Sequence, residues 1–234
     1  MDKPALLLTR PRDSAERFAA RLSVQAMQGV LTCISPLLEI EPTGSIPDLT
    51  DANGVIFTSA RAVEIAPAGI GRPAFCVGAQ TAKAADKAGW SIKLVAQTAD
   101  GLVATIREGS VKGPLVHLAG DHLRGHIAER LGQGGTQVEV VTLYAQHLRP
   151  LSEAAKTLLA GEVPVIVPLF SPRTAAQFLD QARCLRHTVV VAMSPAVAEV
   201  FQARPPKALF IAQEPTADEM ADKVEVLLRK DRLP

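Results

Sequence analysis

The chain has 234 residues, 47% of them hydrophobic and 21% charged, an ordinary globular composition that excludes a disordered or low-complexity polymer. At about 150 residues per domain the length allows one or two domains, and a chain this long buries a core without disulfide or metal staples. Lys plus Arg number 25 against 24 Asp plus Glu, and aromatics are 4%, so neither a basic footprint nor a base-stacking surface announces nucleic acid.

The N-terminal MDKPALLLTRPRD has too short an apolar run for a signal peptide, and no stretch approaches the roughly 18 apolar residues of a membrane span. Cys33, Cys76 and Cys184 are odd in number, widely spaced and set in or beside apolar segments, which argues against a disulfide framework or a zinc knuckle. The expectation is a cytoplasmic protein of a reducing compartment, with no membrane partner.

In chain order, a short apolar run, a small polar turn and a helical period recur. ALLLT precedes RPRDSAERFAARL, GVIFT precedes SARAVEIA, and AFCVG precedes AQTAKAADKAG. LVHLA precedes GDHLRGHIAERLG, VIVPLF precedes SPRTAAQFLDQA, TVVVA precedes MSPAVAEVFQA, and ALFIA precedes QEPTADEMADKVEVLL. The runs are rich in Val, Ile and Leu and do not alternate, as expected of strands buried on both faces. The segments after them space apolar residues by three and four behind a Ser, Thr or Asp. The pattern predicts an α/β fold with parallel sheets.

An internal repeat sharpens this. VIFTSARAVE (55–64) resembles PLFSPRTAAQF (168–178), FCVGAQTAKAAD (75–86) resembles VVAMSPAVAEVF (190–201), and VAQTADGLVATI (95–106) resembles IAQEPTADEMADKV (211–224). The offset, about 115 residues, is far longer than a solenoid repeat. A weaker match pairs residues 6–22 with 116–131, each followed by one more strand, VLTCISPLLEI (30–40) and VEVVTLYA (138–145). The same parts in permuted order predict two doubly wound parallel-sheet domains, one inserted into the other: 1–36 and 150–234 as a discontinuous domain, and 38–146 as the insert. Pro36, Pro42 and Pro150 mark the linkers, and two crossings limit hinge motion without abolishing it.

Ligands of doubly wound sheets bind beyond the carboxyl ends of the strands. The turns expected there are Thr9-Arg10, Thr58-Ser59-Ala60-Arg61, Gly78-Ala79-Gln80-Thr81, Gly120-Asp121, Ser171-Pro172-Arg173-Thr174 and Ser194-Pro195. Each is read as opening a helix, so that unpaired N–H groups and positive dipole ends line a cleft between the domains suited to carboxylates or phosphates. Taken singly, the Ser and Thr residues read as plain N-caps.

At these residues the chain resembles the uroporphyrinogen-III synthase family. The resemblance runs through VIFTSARAVE, AFCVGAQTAKAADKAGW, VHLAGDHLRGHIAERL, VTLYA, LFSPRTAAQFL and PTADEMADKV, with FTS-x-x-AV and VG-x-x-TA its most specific parts. It implies two α/β domains joined by a two-stranded linker. It also implies cyclisation of hydroxymethylbilane, with loss of water and inversion of ring D through a spiro intermediate, on the way to haem, by a cofactor-independent lyase without a metal. The implied partner is the linear tetrapyrrole, with a transient contact to the preceding pathway enzyme; the chain is expected to be a monomer. Tyr144, the one tyrosine, matches the family's Tyr at the end of its strand, which would assist the departing hydroxyl. The implied substrate-binding set is Arg10, Thr58, Ser59, Arg61, Gly78, Thr81, Gly120, Arg124, Ser171, Pro172, Arg173 and Ser194, the arginines adding bidentate pairing to an octacarboxylate. Ser194, Ala196 and Val197 depart from the family's Gly-Pro-Thr-Thr-type turn.

Other constellations point elsewhere only weakly. His117, His122 and His126 have no Cys or Glu at ligand spacing, and they read as satisfied or solvated histidines rather than a metal site. Gly132-Gln133-Gly134-Gly135 follows a helix and so reads as a C-cap and loop, not a dinucleotide fingerprint. Two rival readings keep the fold and change the function: a non-catalytic two-domain α/β binder or sensor of an anionic, tetrapyrrole-like ligand, and a sugar-phosphate or nucleotide enzyme.

Overall fold

A computed structural model describes residues 3–109, 111, 113–123 and 125–229. In chain order the elements are β1 (Ala5–Leu8), α1 (Arg12–Ala19), α2 (Val24–Met27), β2 (Thr32–Ile34), β3 (Leu38–Pro42), β4 (Gly54–Phe57), α3 (Ala60–Ile65) and β5 (Pro73–Val77). They continue with α4 (Ala79–Lys87), β6 (Ser91–Ala96), α5 (Ala99–Glu108), β7 (Leu115–Gly120), α6 (Ile127–Gln133), β8 (Val138–Leu148) and α7 (Glu153–Ala160). The last are β9 (Val165–Leu169), α8 (Pro172–Gln181), β10 (Thr188–Ala192), α9 (Pro195–Glu199), β11 (Ala208–Ile211) and α10 (Ala217–Leu228). The chain divides into two compact units, residues 1–39 with 147–234, and residues 40–146.

The discontinuous unit holds a sheet in the order β11-β10-β9-β1-β2, and the inserted unit one in the order β3-β8-β7-β4-β5-β6. Reversed, the second reads β6-β5-β4-β7-β8, and the permuted repeat maps onto it strand for strand: β9 on β4, β10 on β5, β11 on β6, β1 on β7 and β2 on β8. All pairs among these strands are parallel. The added strand β3 runs against β8: Arg149 N donates to Leu37 O and Thr43 N to Leu143 O, so the partner retreats as β3 advances. VLTCISPLLEI is therefore not one strand but two. Ser35-Pro36-Leu37 breaks it, because Pro36 has no N–H for the ladder, and the Ser35 hydroxyl instead accepts from Ser152 N at 2.8 Å.

The non-alternating runs are buried on both faces, and alternation along them sorts each face to its own helices. In the discontinuous unit, Leu7, Val165, Val167, Leu169 and Val190 pack with α7, α8 and α9. Leu6, Leu8, Ile166, Val189 and Val191 pack with α1 and α10. In the inserted unit, Val55, Phe57, Val116 and Leu118 meet α3 and α4, with Trp90 edge-on to Phe57 at 5.1 Å, while Ile56, Phe75 and Leu115 meet α5 and α6.

Helix starts follow local chemistry. Ser23, Ser59, Thr98, Ser152, Ser171 and Thr216 each accept a backbone N–H from the first turn they cap. Pro172 adds a pre-set φ at the start of α8. At α4 the cap is Gly78, whose φ of 85° only glycine adopts without strain.

Candidate functional site

In each unit two neighbouring strands send their following helices to opposite faces. In the inserted unit these are β4 and β7, because α3 lies on one face and α6 on the other; in the discontinuous unit they are β9 and β1, because α8 and α1 are likewise opposed. Such a reversal leaves a crevice beyond the carboxyl ends of the two strands, where doubly wound sheets bind ligands.

Thr58, Ser59 and Arg61 follow β4, and Gly120 ends β7. Ser59 Oγ is committed to capping, accepting from Arg61 N at 3.1 Å. Thr58 Oγ1 lies 3.4 Å from Nε2 of His117, a residue buried at 2% exposure within β7, whose six positions are all buried. Burial pushes the pKa of His117 down to about 4, since an imidazolium in an apolar layer loses its hydration. Arg61 Nη1 pairs with Glu64 Oε2 at 2.9 Å, and its Nε is buried with no hydrogen-bond partner among the described residues.

Gly120 and Tyr144 are paired where the β7–β8 register shifts between Ala119 and Gly120. The phenol ring fills the space a side chain would need at the glycine: a Cβ there would sit 2.5 Å from Tyr144 Cζ and closer still to Cε2. Asp121 clamps the same point, its N–H donating to Tyr144 O at 3.0 Å and its Oδ2 accepting from Gln146 N at 3.2 Å. Tyr144 is buried in the core beneath α3 and α4, and its hydroxyl makes no hydrogen bond among the described residues. Phe57 pairs with Leu118, so Thr58 and Tyr144 stand at nearly one level of the sheet edge, two strand spacings or roughly 10 Å apart. Gly78 and Thr81 follow β5 on the same edge, with Thr81 buried.

In the discontinuous unit, Arg10 follows β1 and Ser171, Pro172 and Arg173 follow β9. Arg10 Cζ sits 4.2 Å above the ring of Phe170, which is itself held edge-on by Phe18 at 5.2 Å. Burial lowers the Arg10 pKa from its ordinary value, and the like charges of Arg17 and Arg21 add to this; the guanidinium stays charged at neutral pH. No carboxylate pairs with it among the described residues. Ser171 Oγ caps α8 through Thr174 N at 3.2 Å and meets Thr174 Oγ1 at 2.8 Å. Ser194 stands where Gly78 stands in the repeat. Its side chain makes no cap bond, and α9 behind it is only five residues long. Val197, buried, takes the place of Thr81.

One expectation needs correction, and one cannot be placed. Gly120-Asp121 does not open a helix: Asp121 to His126 intervene before α6, whose N-cap His126 has a left-handed φ of 47° after Gly125 at 78°. The turn is held by backbone and carboxylate bonds to β8 rather than by a first helical turn. Arg124 lies outside the described residues.

The three histidines part ways. His117 is in the sheet, His122 stands 3.8 Å from Asp121, and His126 pairs with Glu129 at 3.2 Å. Among the described residues no three His, Cys, Asp or Glu side chains group as a metal site. Sequence reasoning missed His117 as a neighbour of Thr58, Phe170 as the platform of Arg10, and Asp121 as a clamp. A histidine inside the otherwise apolar LVHLAG was the one available signal.

No curated protein is significantly similar in sequence. Among solved structures, a uroporphyrinogen-III synthetase from Helicobacter pylori 26695 is 16% identical with a TM-score of 0.67, over 96% of this chain and 99% of that one. A mutant uroporphyrinogen III synthase from the extremely thermophilic bacterium Thermus thermophilus is 15% identical with a TM-score of 0.61, over 97% and 100%. At such identities these likenesses speak for the fold. The profile described as uroporphyrinogen-III synthase HemD matches residues 17–222, a stretch that takes in the β4–β7 reversal point and β9 with its turn, but not β1 or the turn after it. On that match, and with the two-domain fold agreeing, the chain belongs to the uroporphyrinogen-III synthase family.

Proposed function

We propose that the chain cyclises hydroxymethylbilane to uroporphyrinogen III with inversion of ring D. The observation that supports this most is the family match across both units, joined to a Tyr144 whose hydroxyl has no hydrogen-bond partner among the described residues.

In this reading the phenol of Tyr144 gives its proton to the hydroxymethyl oxygen as the C–O bond breaks, and water leaves. The pyrrole nitrogen lone pair supplies the electrons, forming the azafulvene. Ring D attacks through its substituted α-carbon to give the spiro intermediate, which fragments and recloses through the other α-carbon. The proton released on rearomatisation restores the balance, with no net oxidation or reduction. The reaction therefore calls for no redox cofactor; the ring nitrogen supplies the push, and the Tyr144 phenol supplies the pull on the leaving oxygen. The protein's main contribution is orientation, holding a flexible bilane against direct closure to the symmetric isomer.

Binding falls to Arg10, Thr58, Ser59, Arg61, Gly78, Thr81, Gly120, Ser171, Pro172, Arg173 and Ser194, by charge, by hydroxyls and by the N–H groups of helix starts. No described helix is long and apolar enough to cross a membrane. The reading puts the chain in the cytoplasm as a monomer, in transient contact with the enzyme that produces its short-lived substrate. A coupled assay with hydroxymethylbilane tests it. Isomer III should dominate after oxidation, unaffected by chelators; isomer I at the uncatalysed rate would overturn it.

A further inference from the structure

His117 has no place in the reaction above, yet it is the one histidine among the buried polar residues. It lies in a strand where Leu115, Val116 and Leu118 are core. A histidine there is costly unless a hydrogen bond compensates, and its one polar side-chain contact among the described residues is the 3.4 Å approach of Nε2 to Thr58 Oγ1. Thr58 is only half-buried and stands at the mouth of the β4–β7 crevice.

We propose that His117 is a positioning residue for Thr58, its Nε2–H donating to the Thr58 oxygen so that the hydroxyl proton is directed to a carboxylate of the substrate. The proposal rests on the reading of Thr58 as a substrate contact.

The chemistry selects this arrangement. A threonine hydroxyl has one proton. Were Nε2 bare, it would take that proton and leave Thr58 only lone pairs to offer an anion, which is repulsive. With Nε2 protonated the oxygen accepts from the ring and donates outward, and each bond polarises the next. A neutral imidazole suffices, and burial keeps the ring neutral at neutral pH. Replacing the ring by an apolar side chain would leave the sheet packed and Thr58 free to rotate.

The test uses the whole chain, first by NMR of the imidazole nitrogens at pH 7. The Nε2–H tautomer is expected, with its resonance moving in Thr58→Val; the Nδ1–H tautomer, or an unmoved resonance, overturns the proposal. The second arm is a double-mutant cycle on kcat and KM for hydroxymethylbilane. His117→Leu should raise KM roughly two- to tenfold with kcat nearly unchanged. His117→Gln, whose amide nitrogen reaches the same place, should recover most of the loss. In a Thr58→Val background His117→Leu should do almost nothing further. An equal loss in both backgrounds means a structural role and sinks the idea. If His117→Leu fails to fold, the Gln variant and the NMR arm decide. If the unmodified chain makes no isomer III, the functional reading fails by itself, while the tautomer and its response to Thr58→Val still judge the His117–Thr58 pair.

Discussion

The two reversal points share one topology and differ in chemistry. Beyond β9 and β1 stands a guanidinium on an aromatic platform, Arg10 over Phe170, backed by the caps of α8. Beyond β4 and β7 stand a threonine hydroxyl beside a buried imidazole and a tyrosine ring packed close to a glycine. Under the proposed function, the first would hold charge and the second would give and direct protons. A duplicated scaffold thus places two like reversal points, and a handful of side chains at strand ends makes their chemistry differ.

Acid separates the units most sharply. The histidines of the discontinuous unit, His147 and His187, are not buried, whereas His117 is. Its folded pKa of about 4 lies below the ordinary 6.5, so between those values the unfolded chain binds the extra proton. Stability is full above about pH 6.5 and falls as pH drops toward 4. The loss is on the order of 3 kcal/mol, at about 1.4 kcal/mol for each tenfold difference in proton affinity between the folded and unfolded chain. Hydrogen exchange should find it confined to the sheet of β4 and β7, and His117→Gln should flatten it. An equal acid loss in both sheets would erase the contrast.

Next in size is Tyr144→Phe. The ring keeps its packing against Gly120, so kcat should fall about 100-fold, equivalent to about 2.7 kcal/mol, with product binding little changed. The azafulvene also forms without help, so a tenfold loss still fits; the residual product should remain mainly isomer III. Full activity would leave the inserted unit without its proton donor.

Arg10→Met tests the other side. Losing a charge-assisted contact should weaken product binding by about 2 kcal/mol, roughly thirtyfold, at unchanged kcat. Titration at two ionic strengths should show the salt dependence shrinking with it. A kcat effect larger than that of Tyr144→Phe would reverse the assignment of roles.

Smallest are the caps. Ser59→Ala and Ser171→Ala should each cost about 1 kcal/mol in urea unfolding. Ser194→Ala should cost nearly nothing, because no cap bond exists to lose.

Much of this was legible in the sequence, for physical reasons. Buried parallel strands must be apolar on both faces, so runs such as VIVPLF and TVVVA stand out, and the turn residues Ser59 and Ser171 follow from capping. The permuted order of the repeat predicted the strand-for-strand match of the two sheets. What stayed hidden depends on tertiary contact. Ser35 leaves the strand pattern for a bond to Ser152, more than a hundred residues away. Phe170 reads as one more apolar residue until Arg10 lies over it. His117 reads as part of a histidine trio until the register sets it beside Thr58. Asp121 reads as a residue that ordinarily announces a helix start. Its carboxylate bonds to β8 instead, and α6 starts only after His126.

The interruption of one sheet by the other also dictates an order of assembly. In the discontinuous unit β1 lies between β2 and β9, and Ala5 N donates to Pro164 O at 2.8 Å. On the ribosome, β1 and β2 emerge before the insert and β9 only after it. At about 5–20 residues per second the apolar edge of β1 waits on the order of ten to thirty seconds for its neighbour. The insert meanwhile has all its strands available and needs no later segment to close. Until β9 follows, β1 and β2 offer an open apolar edge, the place at which a holding chaperone would act and aggregation would begin.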